Sequence, residues 1–250
     1  MTGKRSMTAY YNEWDPYAAE WLRELIKRGL IAPGDVDERS ITDVEAEELK
    51  GYTQHHFFAG IGGWSLALRS AGWPDDRRVL TGSPPCQPFS AAGRRAGYED
   101  ERHLAPVWLD LVAALRPAWV FGEQVAAAIK KDDWLDDLLD ALEAEGYATG
   151  AIVLPACSVG APHIRQRLWF TANAKRYQQR REKPCSGQTR RVGRVKQSVS
   201  WDRFWKSALS EFRAMDDGLP RRVGACDAAR NAIVPQVAAE VIMQVMERTE

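Results

Sequence analysis

Short apolar runs alternate along the chain with longer segments in which apolar residues recur three and four positions apart. The short runs end in Gly, Pro or small residues and predict buried strands, whereas the longer segments predict helices. Repeated strand–helix units are typical of an α/β fold built on a parallel sheet. The predicted strands are residues 8–11, 54–59, 79–82, 118–122, 148–154 and 168–172.

The clearest helical stripes lie in residues 104–115 and 234–246, whose periodic apolar positions are expected to face the core. After Ala172 the alternation stops, and a polar tract rich in Arg and Gln runs to about Ser200 before a short predicted helix. We therefore expect a main domain formed by residues 1–172 and completed by residues 218–250. The remaining residues, 173–217, are expected to form a small inserted region.

Length and composition are those of an ordinary globular protein, with 250 residues, 45% hydrophobic and 27% charged. These values exclude a disordered or fibrous chain. No segment approaches the roughly 18 to 20 apolar residues of a membrane span, and the first residues lack the apolar centre of a signal peptide. The sequence therefore predicts a soluble, cytoplasmic protein with no membrane partner. The four cysteines contain no CxxC pair, which predicts reduced thiols and no metal site.

Positive charge is concentrated in one segment although the formal net charge is zero. Residues 173–200 contain nine Lys and Arg and a single acid, Glu182. Such a segment predicts contact with an anionic partner, and the alternative is a solvated loop. The arginines expected to contact an anion such as a nucleic-acid backbone are Arg176, Arg180, Arg181, Arg190 and Arg191.

A glycine-rich turn joins a predicted strand to a predicted helix in the segment HHFFAGIGGWSLAL. Gly60, Gly62 and Gly63 would let backbone N–H groups approach a nucleotide-like ligand. The alternative is a turn that needs glycine for its backbone conformation alone.

A second motif, TGSPPCQPFSAAG, places a cysteine after a strand and two prolines. The prolines stiffen the backbone, so Cys86 is expected to project from the carboxyl edge of the sheet, where α/β enzymes bind ligands. Cys86 is therefore a candidate nucleophile. The alternative is a buried, inert cysteine.

Two further segments supply charged side chains. Glu123 ends the apolar strand of AWVFGEQV, where its surroundings could keep it protonated as a general acid, and the alternative is a helix cap. Arg165 and Arg167 are two residues apart at the start of a strand, so both are expected on one face. Two guanidinium groups predict recognition of an anion or a carbonyl, and the alternative is a surface ion pair.

These segments, together with RNAIVP at residues 230–235, resemble the C5-cytosine DNA methyltransferase family. The ordered blocks of that family are FxGxGG, PPCQPFS, ENV, QxRxR and GNxVxP. The resemblance implies a Rossmann-like methyltransferase fold that uses S-adenosylmethionine and acts on double-stranded DNA. It also implies that the target cytosine is flipped out of the duplex to reach the pocket.

The resemblance assigns roles to the motif residues. Cys86 would attack C6 of the cytosine, Glu123 would protonate or hydrogen-bond N3, and Arg167 would hold O2. Arg165 would support the site or bind a phosphate. Gln87 and Ser90 would lie against the DNA, and the basic region at 173–217 would take the place of the family's target-recognition region.

The order of the cofactor blocks departs from the family. Only 23 residues separate Gly63 from Cys86, too few for the two strands and helices usually found there. Near the start, YYNEWDPYAAEWLREL resembles the family's second block, with Glu13 for the ribose hydroxyls and Trp14 for the adenine. DVDERSITDV resembles the third block, with Ser40 at its acid position, Ile41 beside it, and Asp35 as the other candidate.

We therefore predict a permuted chain, in which strands 2 and 3 of the family come first and strand 1 leads directly into strand 4. The new connection, at residues 45–52, is polar and expected on the surface. This arrangement requires Glu13 to lie close to Gly60. The implied cofactor site consists of Phe58, Ala59, Gly60, Ile61, Gly62, Gly63, Glu13, Trp14, Ser40, Ile41, Pro84 and Asn231.

The leading interpretation is a monomeric DNA cytosine methyltransferase, either an orphan or the protective half of a restriction–modification pair with a cognate endonuclease. So compact a form would suit a phage or mobile element. One alternative is the same chemistry on transfer RNA. Another is a catalytically decayed DNA-binding homologue, because Gln124 replaces the Asn of ENV and Arg230 replaces the Gly of GNxVxP.

Overall fold

A single sheet of seven strands organises the part of the chain that the computed structural model describes, namely residues 8–84, 104–130, 134–174 and 232–247. The order across the sheet is β2-β1-β3-β4-β5-β7-β6. The strands are β1 (Ala9–Asn12), β2 (Gly34–Asp37), β3 (Gln54–Phe57), β4 (Val79–Gly82), β5 (Trp119–Val125), β6 (Ala148–Pro155) and β7 (Gln166–Asn173).

The pairing is mostly parallel. Strands β1 to β5 run parallel to one another, whereas β7 runs antiparallel to both β5 and β6. The predicted α/β class with a mostly parallel sheet is therefore confirmed. All six predicted strands are also present, with ends that differ by at most three residues.

The seventh strand, β2, was not among the strands predicted from the apolar pattern. Its sequence, GDVD, holds one apolar residue and shows no alternation. Pairing with β1 forms this edge strand, and a neighbouring aromatic hydroxyl supports it, since Tyr52 donates to the Asp35 carboxylate at 2.5 Å. These contacts come from distant parts of the chain and leave no local signal.

Five helices pack on the two faces of the sheet among the described residues: α1 (Pro16–Lys27), α2 (Gly63–Ser70), α3 (Ala105–Leu115), α4 (Trp134–Ala144) and α5 (Pro235–Met246). Helix α1 begins where Asp15 accepts a hydrogen bond from the Ala18 N–H at 2.9 Å, and Pro16 occupies its first turn. Both predicted helical stripes are confirmed as α3 and α5. None of the described helices has the length and apolar character needed to cross a membrane.

The core has two main layers, one on each face of the sheet. Helices α3 and α4 cover one face around Trp108 and Phe170, and α2 and α5 cover the other around Trp64 and Trp169. Glycines in the central strands permit this close packing. A Cβ on Gly82 would lie 2.3 Å from the Trp108 indole nitrogen, and a Cβ on Gly122 would lie 1.9 Å from the Phe170 ring.

His56 joins the central strands through polar contacts inside the core. Its Nδ1 lies 2.8 Å from the Thr81 hydroxyl of β4, and its ring stacks on Tyr11 of β1 at 4.9 Å between centroids. Burial lowers the pKa of His56 to about 3, so the ring is neutral at physiological pH. His56 therefore links β3 to both neighbours without placing a charge in the core.

The connection at residues 45–52 lies at the surface, as predicted, with most of its residues exposed. It contains a short 3₁₀ helix, Ala46–Leu49, and the Leu49 side chain is buried in the core. The Leu49 carbonyl also lies 3.0 Å from Nε2 of the buried His55. The sequence did not predict this contact, in which one apolar residue of a charged segment packs against the core.

Candidate active site

The parallel strands end in register, and this places the candidate residues along one edge of the sheet. Asn12 is aligned with Asp37 and Phe57, Phe57 with Gly82, and Gly82 with Gly122. The positions immediately after the ends of β1, β3 and β4, together with the position after Gly122 in β5, therefore share this edge. They are Glu13, Phe58, Ser83 and Glu123.

The glycine turn between β3 and α2 has an unusual backbone. Phe58, Gly60 and Gly62 all have positive φ, at 52°, 53° and 82°. A Cβ on Gly60 would meet nothing within 4 Å, so the turn faces open space at that residue. Gly63 is different, because its Cβ would lie 2.7 Å from Cγ1 of Ile233. Gly63 therefore permits packing of the segment before α5 rather than approach of a ligand.

Glu13 joins the end of β1 to the glycine turn. One carboxylate oxygen accepts from the Gly60 N–H at 2.6 Å, and the other accepts from the Asp15 N–H at 3.0 Å. Burial raises the pKa of Glu13 above its ordinary value, against the lowering effect of these two N–H groups. The prediction that Glu13 lies close to Gly60 is confirmed. Next to it, Trp14 has 77% of its surface exposed.

The segment after β2 brings Ser40 and Ile41 to the same side of the sheet as Asn12. The Asn12 side-chain amide donates to the Arg39 carbonyl at 2.9 Å. Ser40 caps a 3₁₀ helix that begins at Ile41, and its hydroxyl lies 2.8 Å from that of Thr42. The other candidate, Asp35, lies two residues before the end of β2, where it accepts from Tyr52.

A carboxyl–guanidinium pair, with a buried carboxyl group and a partly buried guanidinium group, lies on the other half of the edge. Glu123 is 8% exposed, and its Oε1 accepts from Nε of Arg167 at 2.8 Å. Burial raises the pKa of Glu123 to about 7, against the lowering effect of Arg167 and of Arg165. A carboxyl group with this pKa can hold or release a proton near neutral pH.

Arg165 contributes from outside the strand. It precedes β7 and has a φ of 30°, so the strand alternation used to predict its direction does not hold at this residue. Its Nη2 donates to the Ala232 carbonyl at 2.7 Å, while its buried Nε has no partner among the described residues. Arg165 thus connects the charge cluster at Glu123 to the segment before α5.

The exit of β4 is held from two sides. The Gln124 side-chain amide donates to the Pro84 carbonyl at 2.8 Å, and its oxygen accepts from the Val125 N–H at 2.8 Å. On the other side, the Trp64 indole N–H donates to the Ser83 hydroxyl at 3.1 Å. Sequence reasoning did not identify Trp64 or Ser83, since a contact 19 residues apart has no signature in either segment.

Several predicted residues lie outside the described residues. They include the candidate nucleophile, its neighbours, the basic arginines and the end of the GNxVxP-like block: Cys86, Gln87, Ser90, Arg176, Arg180, Arg181, Arg190, Arg191, Arg230 and Asn231. Nearly all of the predicted recognition region, 173–217, lies outside them as well. Their roles stay predictions.

Sequence comparison identifies relatives of this chain. The methyltransferase M.AplI of Arthrospira platensis is 28% identical over 153 residues, which cover 46% of this chain and 44% of the relative. M.HgiDI of Herpetosiphon aurantiacus is 35% identical over 91 residues, which cover 36% of this chain and 29% of the relative. Both are named Type II methyltransferases, and this chain spans less than half the length of each.

A solved methyltransferase of Entamoeba histolytica, EhMeth, aligns with a TM-score of 0.47 and 14% identity, over 75% of this chain and 49% of that one. The model of the C-5 cytosine-specific DNA methylase family matches residues 72–198, just over half of the chain. This match spans the exit of β4, the Glu123–Arg167 pair and the basic segment. The chain belongs to the C-5 cytosine-specific DNA methylase family.

Proposed function

We propose that this chain transfers a methyl group from S-adenosylmethionine to C5 of cytosine in DNA. The observation that carries the proposal is the Glu123–Arg167 pair at the carboxyl edge of the sheet, in which burial of the Glu123 carboxyl raises its pKa to about 7. Neighbouring Gln124 contacts Pro84, two residues before the candidate nucleophile Cys86. This reaction requires a proton donor, a guanidinium group that binds the cytosine ring, and a thiol nucleophile.

The residues at the other half of the edge fit the cofactor. Glu13 offers a carboxylate for ribose hydroxyls, exposed Trp14 offers a ring for the adenine, and Gly60 opens onto free space. Ser40 and Ile41 follow β2 on the same side of the sheet. When bound, S-adenosylmethionine would supply an electrophilic methyl group at a sulfonium centre.

The chemistry of the chain's own residues follows from their types. The Cys86 thiolate would add to C6 of cytosine while Glu123 donates its proton to N3, which leaves C5 electron-rich. Arg167 would donate hydrogen bonds to O2 and also hold Glu123 in place. Once C5 carries the methyl group, the proton on C5 is lost to solvent water, the C6–S bond breaks to restore the Cys86 thiolate and the C5–C6 double bond, and N3 returns its proton to Glu123.

The substrate would be double-stranded DNA with the target base flipped out, because a stacked cytosine cannot meet a nucleophile at C6. The arginines of residues 173–217 would neutralise phosphates, and Gln87 and Ser90 would contact the strand. We also propose that the protein works as a monomer in the cytoplasm, either alone or as the protective half of a pair with a cognate restriction endonuclease.

Permutation of the chain is part of the proposal. The order β2-β1-β3 supports it, because the two strands made first lie beside the strand that enters the glycine turn. Thr53, at the start of β3, supports it further. Its hydroxyl lies within hydrogen-bonding distance of both the Thr8 carbonyl, at 2.7 Å, and the Asp75 carbonyl, at 3.1 Å, so the start of β1 and the turn before β4 adjoin.

The test is transfer of tritiated methyl groups from S-adenosylmethionine by the purified protein to unmethylated duplex DNA and, separately, to transfer RNA. The proposal predicts incorporation into DNA that is lost when the duplex contains 5-methylcytosine in place of cytosine. Incorporation into transfer RNA alone would show that the same reaction acts on RNA and not on DNA. Cofactor binding without incorporation into either polymer would indicate a decayed enzyme.

A further inference from the structure

We infer that Trp64 is a positioning residue that fixes the exit of β4 by hydrogen bonding to Ser83. The inference rests on the proposed function, since it assigns Trp64 a part in presenting the nucleophile. Trp64 occupies the second position of α2, directly after the glycine turn. Ser83 follows β4 and stands three residues before Cys86 in the sequence.

The geometry of the Trp64 ring makes it a fixed donor. Its side chain is almost completely buried, and its indole lies 6.3 Å from the Phe121 ring and 5.7 Å from the Trp169 ring between centroids. These rings belong to β5 and β7, so the indole is braced by the central strands. The packing of the ring therefore fixes the direction of the indole N–H, which donates a hydrogen bond to the Ser83 hydroxyl at 3.1 Å.

The opposite side of the same segment is fixed by Gln124. Its amide donates to the Pro84 carbonyl at 2.8 Å and is itself oriented by the Val125 N–H. Ser83 and Pro84 are thus held between α2, which follows the cofactor turn, and β5, which carries Glu123. A small displacement of a reacting group costs much rate, so two anchors at this point would preserve the reaction geometry.

Phenylalanine at position 64 keeps an aromatic ring but removes the N–H donor and part of the buried volume of the indole, and the volume loss is reproduced by Trp73→Phe. Trp73 provides a matched control, because it is equally buried, contacts Phe121, and donates its indole N–H to the Arg77 carbonyl at 3.1 Å. That bond lies in the turn before β4, at the opposite edge of the sheet. Ser83→Ala removes the acceptor with a minimal change of volume.

The experiment compares wild type, Trp64→Phe, Ser83→Ala, the double variant and Trp73→Phe. The inference predicts that each single change at the Trp64–Ser83 bond lowers kcat about tenfold, with the KM values for DNA and cofactor nearly unchanged. The double variant should be no slower than the single ones, because both remove the same bond. Trp73→Phe should keep the wild-type kcat. A Trp64→Phe kcat equal to that of Trp73→Phe, or multiplicative losses in the double variant, would overturn the inference.

A second readout does not depend on methyl transfer. Alkylation of Cys86 by iodoacetamide, resolved from that of exposed Cys157 by peptide mass spectrometry, reports the environment of the thiol directly. Trp64→Phe and Ser83→Ala should change the alkylation rate of Cys86 relative to wild type and to Trp73→Phe, and leave Cys157 unchanged. If wild type transfers no methyl groups, the proposed function fails, and this rate still decides the inference. An unchanged Cys86 rate would overturn it.

Discussion

The protonation state of Glu123 is decisive for the proposed reaction. Burial raises its pKa to about 7 although Arg167 lies 2.8 Å away. The proton is therefore held below about pH 7 and lost above it, so an acid role predicts a rate that falls as pH rises through this value.

Glu123→Gln tests this role. Glutamine cannot release a proton, so we expect the single-turnover methylation rate to fall about a hundredfold. The residual rate should also lose the decline above pH 7 that the wild type shows. Asp110→Asn, an exposed change on α3, serves as the control. A glutamine variant with the wild-type pH profile would exclude Glu123 as the titrating acid.

We propose that Glu13 binds the ribose hydroxyls of the cofactor. Glu13→Ala removes the carboxylate that faces Gly60 at 2.6 Å, and we expect binding of S-adenosylhomocysteine to weaken about tenfold or more. Isothermal titration calorimetry measures the affinity. Glu20→Ala, an exposed change on α1, should leave it unaltered, and equal affinities for the two variants would contradict the assignment.

At the scale of elements, the motifs led to the correct edge of the sheet. Strand periodicity is a local property of the sequence, and ligands in α/β proteins bind at the carboxyl ends of strands. Together these two rules predict Glu123 and Arg167 as candidate site residues. Neither the edge strand β2 nor the hydrogen bond from Arg165 to the Ala232 carbonyl could be predicted in this way. Both depend on partners distant in sequence, Tyr52 in one case and the segment before α5 in the other.

The packing of α5 on α2, the helix that follows the glycine turn, leads to a prediction about stability. A Cβ on Gly63 would lie 2.7 Å from Cγ1 of buried Ile233, so Gly63→Ala should lower the free energy of unfolding by about 1 to 2 kcal/mol. Gly51→Ala is the matched control, because its Cβ would meet nothing within 4 Å. Urea unfolding compares the two, and equal midpoints would show that the contact does not limit packing.

At the scale of the whole molecule, the strand order permits the chain to be rejoined in the family's usual sequence. The three backbone segments near Thr53 adjoin: Thr8 and Asp75 share its hydroxyl, and its carbonyl accepts from the Val79 N–H at 3.1 Å. Ends that are close together at one edge can be reconnected without disturbing the sheet.

A rearranged chain tests this directly. Residues 53–75 would come first, followed by residues 1–52 and, after a short Gly–Ser linker, residues 76–250. We expect cooperative unfolding and binding of S-adenosylhomocysteine close to those of the natural order. Loss of both would argue against a permutation, and a chain of the same composition with residues 8–52 joined at the end of α4 is the negative control.

We propose that this chain methylates cytosine in DNA through Cys86. Wild type and Cys86→Ser would be expressed in a bacterium without cytosine methylation, and the bacterial DNA would be digested to nucleosides for mass spectrometry. We expect 5-methyldeoxycytidine in cells with the wild type and none in cells with Cys86→Ser. Absence of 5-methyldeoxycytidine in the presence of folded wild-type protein, or equal amounts with both proteins, would contradict this role of Cys86.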